Sequence, residues 1–244
     1  MTEEITYEFI PEVYIVESAD IKEYYGGFQE GKALQESLKI MKIPNYYFPV
    51  FTRNGLEYAL KLITPSHSFG EDKERNIARF TVPVIHISAH GADNFFRLTD
   101  GSAIGWKDLK SILVPINTKC NGCLILCMSV CRGFMAYKAA ETVKSSEIPF
   151  FQLIGPKGDV LWKDSLLAFL IFYSRFDLLC HDRIGELTSI MNNSISKDLF
   201  DIIDGATVQS NYYDKILEIA RRILSNRAKV NQAPSAETKT AEKH

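Results

Sequence analysis

Apolar and amphipathic segments alternate along this chain and predict alternating strands and helices. Buried strands are predicted by short apolar runs, at 13–16, 46–51, 84–90, 124–130 and 149–154. Helices are predicted by apolar residues at helical spacing: Leu34, Leu38 and Met41; Leu56, Leu60 and Ile63; 161–173; Ile184, Leu187, Met191 and Ile195; and 213–224. Strands that are apolar throughout need cover on both faces. The pattern therefore predicts an α/β fold, with a mostly parallel sheet of about six strands and helices on both faces.

Shorter signals predict the connections between these elements. Asp100-Gly101 lies between two largely apolar segments, 95–98 and 103–106, and predicts a β-hairpin over 95–106. Asn54 is the predicted cap of the helix that begins before Leu56. The polar and charged residues 64–79 predict a surface loop.

Composition predicts one soluble domain followed by a tail. From about Asn226 the sequence becomes polar, so we expect a domain over 1–225 and a disordered tail over 226–244. The chain is 46% hydrophobic with a net charge of −2, which gives no electrostatic footprint for nucleic acid or an anionic membrane. The apolar run 166–173 is shorter than the roughly 20 residues of a membrane helix. The acidic N-terminus does not have the pattern of a signal peptide, so we expect a cytoplasmic protein with reduced cysteines.

Two of the predicted strands end at side chains that are able to take part in catalysis. The strand at 84–90 ends at His90, and the strand at 124–130 is followed by Cys131. Because the carboxyl ends of parallel strands meet at one edge of a sheet, we expect the two side chains to lie close together. A thiol reacts as its thiolate, and a histidine can take the proton. The pattern therefore predicts a cysteine nucleophile with His90 as its base.

The glycines beside these two residues fit the same interpretation. Gly91 follows His90 and Gly133 lies two residues after Cys131, so a substrate backbone could approach closely. A helix is predicted around 135–143, and its positive dipole end would favour the thiolate. The amides of Gly91 and Cys131 are the expected donors to a developing oxyanion.

The residues around this pair resemble the catalytic motifs of the caspase superfamily. The resemblance is carried by Ser88-Ala89-His90-Gly91 and by Cys131-Arg132-Gly133. Caspases have Gln-Ala before the cysteine, where this chain has Ser129-Val130. The intervening Leu98-Thr99-Asp100-Gly101 and Ile104-Gly105-Trp106-Lys107-Asp108-Leu109 resemble more closely the CHAT-type branch, which is related to separase. The resemblance covers roughly residues 10–175.

The resemblance implies a caspase-like three-layer fold and a cysteine endopeptidase that cleaves a protein substrate through an acyl-enzyme. Cys131 would attack the scissile carbonyl, His90 would move the protons, and the amides of Gly91 and Cys131 would hold the oxyanion. Carboxylates would select a basic residue before the cleaved bond, whereas an arginine would select an acidic one. The residues expected around the substrate are Ser129, Asp93, Asp159 and Arg132.

Family analogy also suggests a protein partner or ligand that controls the activity, in a defence pathway, such as antiviral defence, or in cell death. We expect no cofactor and no metal. Cys120 and Cys123 have a metal-ligand spacing, but Cys127 and Cys131 would lie about 13 Å apart on a strand, too far for one zinc ion. The alternative function is a catalytically silent module of the same fold that binds other proteins.

Overall fold

The computed structural model describes residues 6–63, 69–72, 77–180 and 183–232 and has an α/β fold. Its strands are β1 (Thr6–Ser18), β2 (Asn45–Pro49), β3 (Phe69–Asp72), β4 (Ile77–Ala92), β5 (Phe95–Arg97), β6 (Ala103–Gly105), β7 (Ile125–Ser129), β8 (Gln152–Pro156) and β9 (Phe200–Asp204). Its α-helices are α1 (Ile21–Gly26), α2 (Glu30–Ile40), α3 (Arg53–Lys61), α4 (Trp106–Lys119), α5 (Trp162–Ser174), α6 (Phe176–Cys180), α7 (Ile184–Ser194) and α8 (Gly205–Gln232). Two 3₁₀ segments, Gly133–Ala140 and Ser145–Glu147, connect β7 to β8.

Six strands form a continuous row in the order β2-β1-β4-β7-β8-β9. Neighbours from β2 to β8 are parallel, whereas β9 runs antiparallel to β8. β3 pairs antiparallel with β4, and β5 pairs with both the end of β4 and β6. The prediction of a mostly parallel α/β sheet is confirmed, and the hairpin forms at Asp100-Gly101 as predicted.

Helices cover both faces of the sheet, and a separate apolar core lies between the sheet and the helices on each face. On one face, α3 and α4 pack on a core that includes Ile85 and Leu126. On the other, which we call the α2/α5 face, α2, α5 and α7 pack on a core that includes Val84 and Cys127. Successive side chains of a strand point to opposite faces, so residues an even number of positions apart share a face. His90 lies six residues after Val84 in β4 and is therefore on the α2/α5 face.

Three local predictions are wrong. The cap of α3 is Thr52, whose hydroxyl accepts a hydrogen bond from the Gly55 amide at 3.1 Å; Asn54 already lies inside the helix. The segment 64–79 is not wholly a loop, because β3 lies within it and β4 begins at Ile77; residues 64–68 and 73–76 lie outside the described residues. The segment after Cys131 forms a 3₁₀ helix from Gly133, not an α-helix over 135–143.

The C-terminal helix is longer than its apolar pattern predicts. α8 ends at Gln232, so residues 226–232, which we expected to begin a disordered tail, are helical. The rest of the expected tail, 233–244, lies outside the described residues. Among the helices described, none combines the length and the apolar character that crossing a membrane requires.

Candidate active site

The strand register places His90 and Cys131 side by side at the carboxyl edge of the sheet. β4 and β7 are adjacent and parallel, and their last paired residues are Ser88 and Ser129. His90 and Cys131 each follow two residues later on their own chain segment. Both are partly exposed, whereas the two serines are buried. The structure thus brings together the two residues that the sequence predicts as base and nucleophile.

Gly91 and Gly133 allow close packing around Cys131, which differs from the predicted role of admitting a substrate. A β-carbon on Gly91 would lie within 3.0 Å of the Cys131 carbonyl oxygen and of the Val130 β-carbon. A β-carbon on Gly133 would overlap Met128 in the same way. Both glycines are therefore required by contacts within the protein.

His90 is held by a carboxylate from α1. Its Nε2 lies 2.9 Å from Oε2 of Glu23 and 3.4 Å from Oδ2 of Asp20. Glu23 is the more buried of the two acids, with 22% of its side chain exposed against 47% for Asp20. The Trp162 ring meets His90 edge to face, with 5.4 Å between the ring centroids.

Glu23 is fixed in place by two further donors. Its Oε1 accepts a hydrogen bond from Trp162 Nε1 at 3.0 Å, and its Oε2 accepts one from the Asp20 amide at 2.9 Å. Burial alone would raise the pKa of Glu23, but the hydrogen bonds from Trp162, Asp20 and His90 outweigh it and lower this pKa. Glu23 is therefore held as an ionised acceptor next to the imidazole.

The Cys131 sulfur contacts the backbone that leads into α5. It lies 3.4 Å from the amide nitrogen of Val160 and 3.6 Å from the carbonyl oxygen of the same residue. No hydrogen bond joins Cys131 to His90, both of which lie in the described part of the chain. The segment that begins at Gly133 is a 3₁₀ helix, and the N–H group that points at the sulfur is that of Val160.

Of the two amides predicted to hold an oxyanion, the one on Cys131 is available. It donates to no acceptor within residues 6–63, 69–72, 77–180 and 183–232. Gly91 lies in the β4–β5 ladder opposite Phe96.

Arg132, Asp93 and Asp159 form one ion-paired cluster beside the cysteine. Arg132 contacts both carboxylate oxygens of Asp93, at 2.8 and 3.0 Å, and Oδ1 of Asp159 at 3.1 Å. The carboxylates raise the pKa of the Arg132 guanidinium. Arg132 itself has φ 58°, a left-handed conformation in which its backbone N–H donates a hydrogen bond to the Gly158 carbonyl oxygen. The acidic and basic residues predicted as alternative specificity groups therefore neutralise each other in part.

The sequence predicts that Ser129 borders the substrate pocket, but the structure places it in the buried part of β7, beneath the site. It is fully buried, and its hydroxyl lies 2.6 Å from that of Ser165 on α5. In the strand register it continues a polar row with Glu17 and Ser88. Ser129 therefore supports the end of β7 that leads to Cys131 by its buried contact with α5.

The other described cysteines lie away from this edge. Cys120 and Cys127 are fully buried, and burial raises both pKa values, that of Cys120 to about 12. Within the described residues, the group with atoms close enough to share a metal ion contains no cysteine: it is Asp20, Glu23 and His90, whose ligand atoms lie within 4.8 Å of one another.

Three residues of the site were not predicted from the sequence: Asp20, Glu23 and Trp162. Asp20 and Glu23 have the three-residue spacing of a helix cap, which is a signal for the start of α1 but not for contact with His90.

The chain matches no protein-family model, and no curated protein matches it significantly.

Proposed function

We propose that this protein is a cysteine endopeptidase of caspase-like type that cleaves a protein substrate. The proposal rests on one observation: His90 in β4 and Cys131 after β7 each lie two residues beyond the last paired residues of these adjacent parallel strands, with Gly91 packed on the Cys131 carbonyl. A partly exposed thiol beside a histidine is the arrangement that nucleophilic catalysis requires.

The reaction would run through a thioester. His90 takes the thiol proton, and the Cys131 sulfur forms a bond to the scissile carbonyl carbon while the Cys131 amide donates to the oxyanion. His90 then protonates the leaving amine as the C–N bond breaks. In the second half, His90 takes a proton from water, whose oxygen attacks the thioester, and returns the proton to sulfur as the C–S bond breaks.

The Val160 contact is compatible with this role. The Val160 N–H donates to the sulfur at 3.4 Å, and Cys131 is nevertheless partly exposed. The catalytic hydrogen bond between nucleophile and base is often absent until substrate binds.

One observation favours the second candidate, a catalytically silent module that binds proteins. The Cys131 sulfur contacts both the amide and the carbonyl of Val160 and makes no hydrogen bond to His90 within the described residues. In a silent module these contacts would simply hold the segment after β7 against the start of α5, and the Cys131 thiol would not react.

A thiol-directed peptidyl probe separates the two candidates. The peptidase should be labelled at Cys131, and Cys131→Ala should abolish labelling. Cys123→Ala is the matched control, since Cys123 is also partly exposed but lies away from His90. Failure to label the wild type, or equal labelling of Cys131→Ala, would support the silent module.

A further inference from the structure

Glu23 makes more hydrogen bonds to the rest of the site than any other acid near His90 does. It accepts from His90, Trp162 and the Asp20 amide, at 2.9, 3.0 and 2.9 Å. We propose that Glu23 is a positioning residue that holds His90 in the tautomer and orientation needed to take the Cys131 proton. This inference rests on the peptidase function proposed above and extends the pair to a Cys-His-Glu arrangement.

The tautomer follows from the chemistry of the contact. An ionised carboxylate only accepts hydrogen bonds, so the Nε2 atom that faces Glu23 at 2.9 Å carries the hydrogen. In a neutral imidazole the other nitrogen, Nδ1, then has the free lone pair. Nδ1 is therefore the atom that acts as base. A base oriented by a third group is the general arrangement of nucleophilic triads.

The orientation follows from how Glu23 is itself held. Trp162 binds one carboxylate oxygen, and the Asp20 amide and His90 share the other, so the carboxylate cannot rotate without losing a bond. The Trp162 ring also packs edge-on against the imidazole. The indole thus fixes both the ring and the acid that orients it.

Glu23 contributes to the site through its side-chain hydrogen bonds and does not belong to the apolar core. No residue of α1 is buried, and the helix spans only Ile21–Gly26. Replacing Glu23 by the isosteric glutamine should therefore leave the fold intact. Glutamine has one acceptor oxygen, whereas the site presents donors at both positions, so either His90 or Trp162 loses its partner.

The test combines kinetics with the tautomer of His90. In Glu23→Gln and Glu23→Ala we expect kcat on a peptide substrate to fall at least about tenfold, with KM nearly unchanged. Nitrogen-15 NMR of the imidazole should show the Nε2–H form in the wild type and a mixture of tautomers in Glu23→Ala, which has no side-chain acceptor at position 23. Glu36→Gln is the matched control, because Glu36 lies on the exposed side of α2 with lysine partners, and it should leave both readouts unchanged.

The two readouts also separate this inference from the peptidase proposal. If the wild type shows no peptidase activity, the peptidase proposal fails, but the tautomer measurement still decides whether Glu23 orients His90. A single Nε2–H tautomer that persists in Glu23→Ala would overturn the inference. So would an unchanged kcat in an active enzyme.

Discussion

Gly91 lies directly against the backbone carbonyl of Cys131. A β-carbon at position 91 would approach that oxygen more closely than real β-carbons ever approach a neighbour. Because the obstacle is backbone, the end of β4 and the residues after β7 would have to move apart. We expect Gly91→Ala to lower the free energy of unfolding by about 1–3 kcal/mol, the usual cost of overpacking, and to reduce labelling of Cys131. Thermal denaturation and the peptidyl probe measure the two effects.

Gly185→Ala is the matched control for this prediction. Gly185 lies in α7, and a β-carbon there would meet no atom within 4 Å. Alanine is favoured over glycine in a helix by about 1 kcal/mol, so this variant should be as stable as the wild type or more stable. Equal stability of the two glycine variants would contradict the close contact at Gly91.

Alkylation of the cysteines should be selective. Cys120 and Cys127 are buried with raised pKa values, so they hold little thiolate at neutral pH, and burial also raises the pKa of the partly exposed Cys123. We expect iodoacetamide to modify Cys131 well before these three, as read by peptide mapping with mass spectrometry. Faster modification of Cys127 than of Cys131 would contradict the placement of both residues. In denaturant the rates should become similar.

The Ser129–Ser165 contact should affect stability more than specificity. Each single alanine variant leaves a buried hydroxyl without its partner, which costs about 1–3 kcal/mol of stability. The double variant removes both groups, so it should lose less than the sum of the two single losses. Chemical denaturation measures the cycle, with Ser111→Ala, at an exposed position of α4, as the control. A Ser129→Ala enzyme with wild-type stability and altered cleavage preference would restore the predicted substrate role.

The fold was largely predictable because its central strands are apolar. β7, β8 and the 83–89 part of β4 are buried on both faces and stand out as short, mainly apolar runs. Like β3, the elements β9 and α1 carry no such signal. β9 is an edge strand with aspartates at positions 201 and 204, and α1 buries no residue, so neither has a strong apolar pattern.

The reactive pair was predictable, but its surroundings were not. His90 lies near the end of one recognisable strand and Cys131 just after another, so their placement at one edge of the sheet is a consequence of parallel pairing. Glu23 is 67 residues from His90 in sequence, and its contact depends on how α1 folds back over the sheet edge. The pairing of Arg132 with Asp93 and Asp159 depends on the left-handed backbone at Arg132, which no periodicity reveals.

His90 and Cys131 are proposed to act together in the cleavage of a polypeptide. The most direct measurement is cleavage of a peptide library by the wild type, Cys131→Ala and His90→Ala, with each product identified by mass spectrometry and the fold of each variant checked by circular dichroism. We expect cleavage at defined sites by the wild type and none by either folded variant. Cleavage that survives in Cys131→Ala, or no cleavage by the wild type, would contradict the claim.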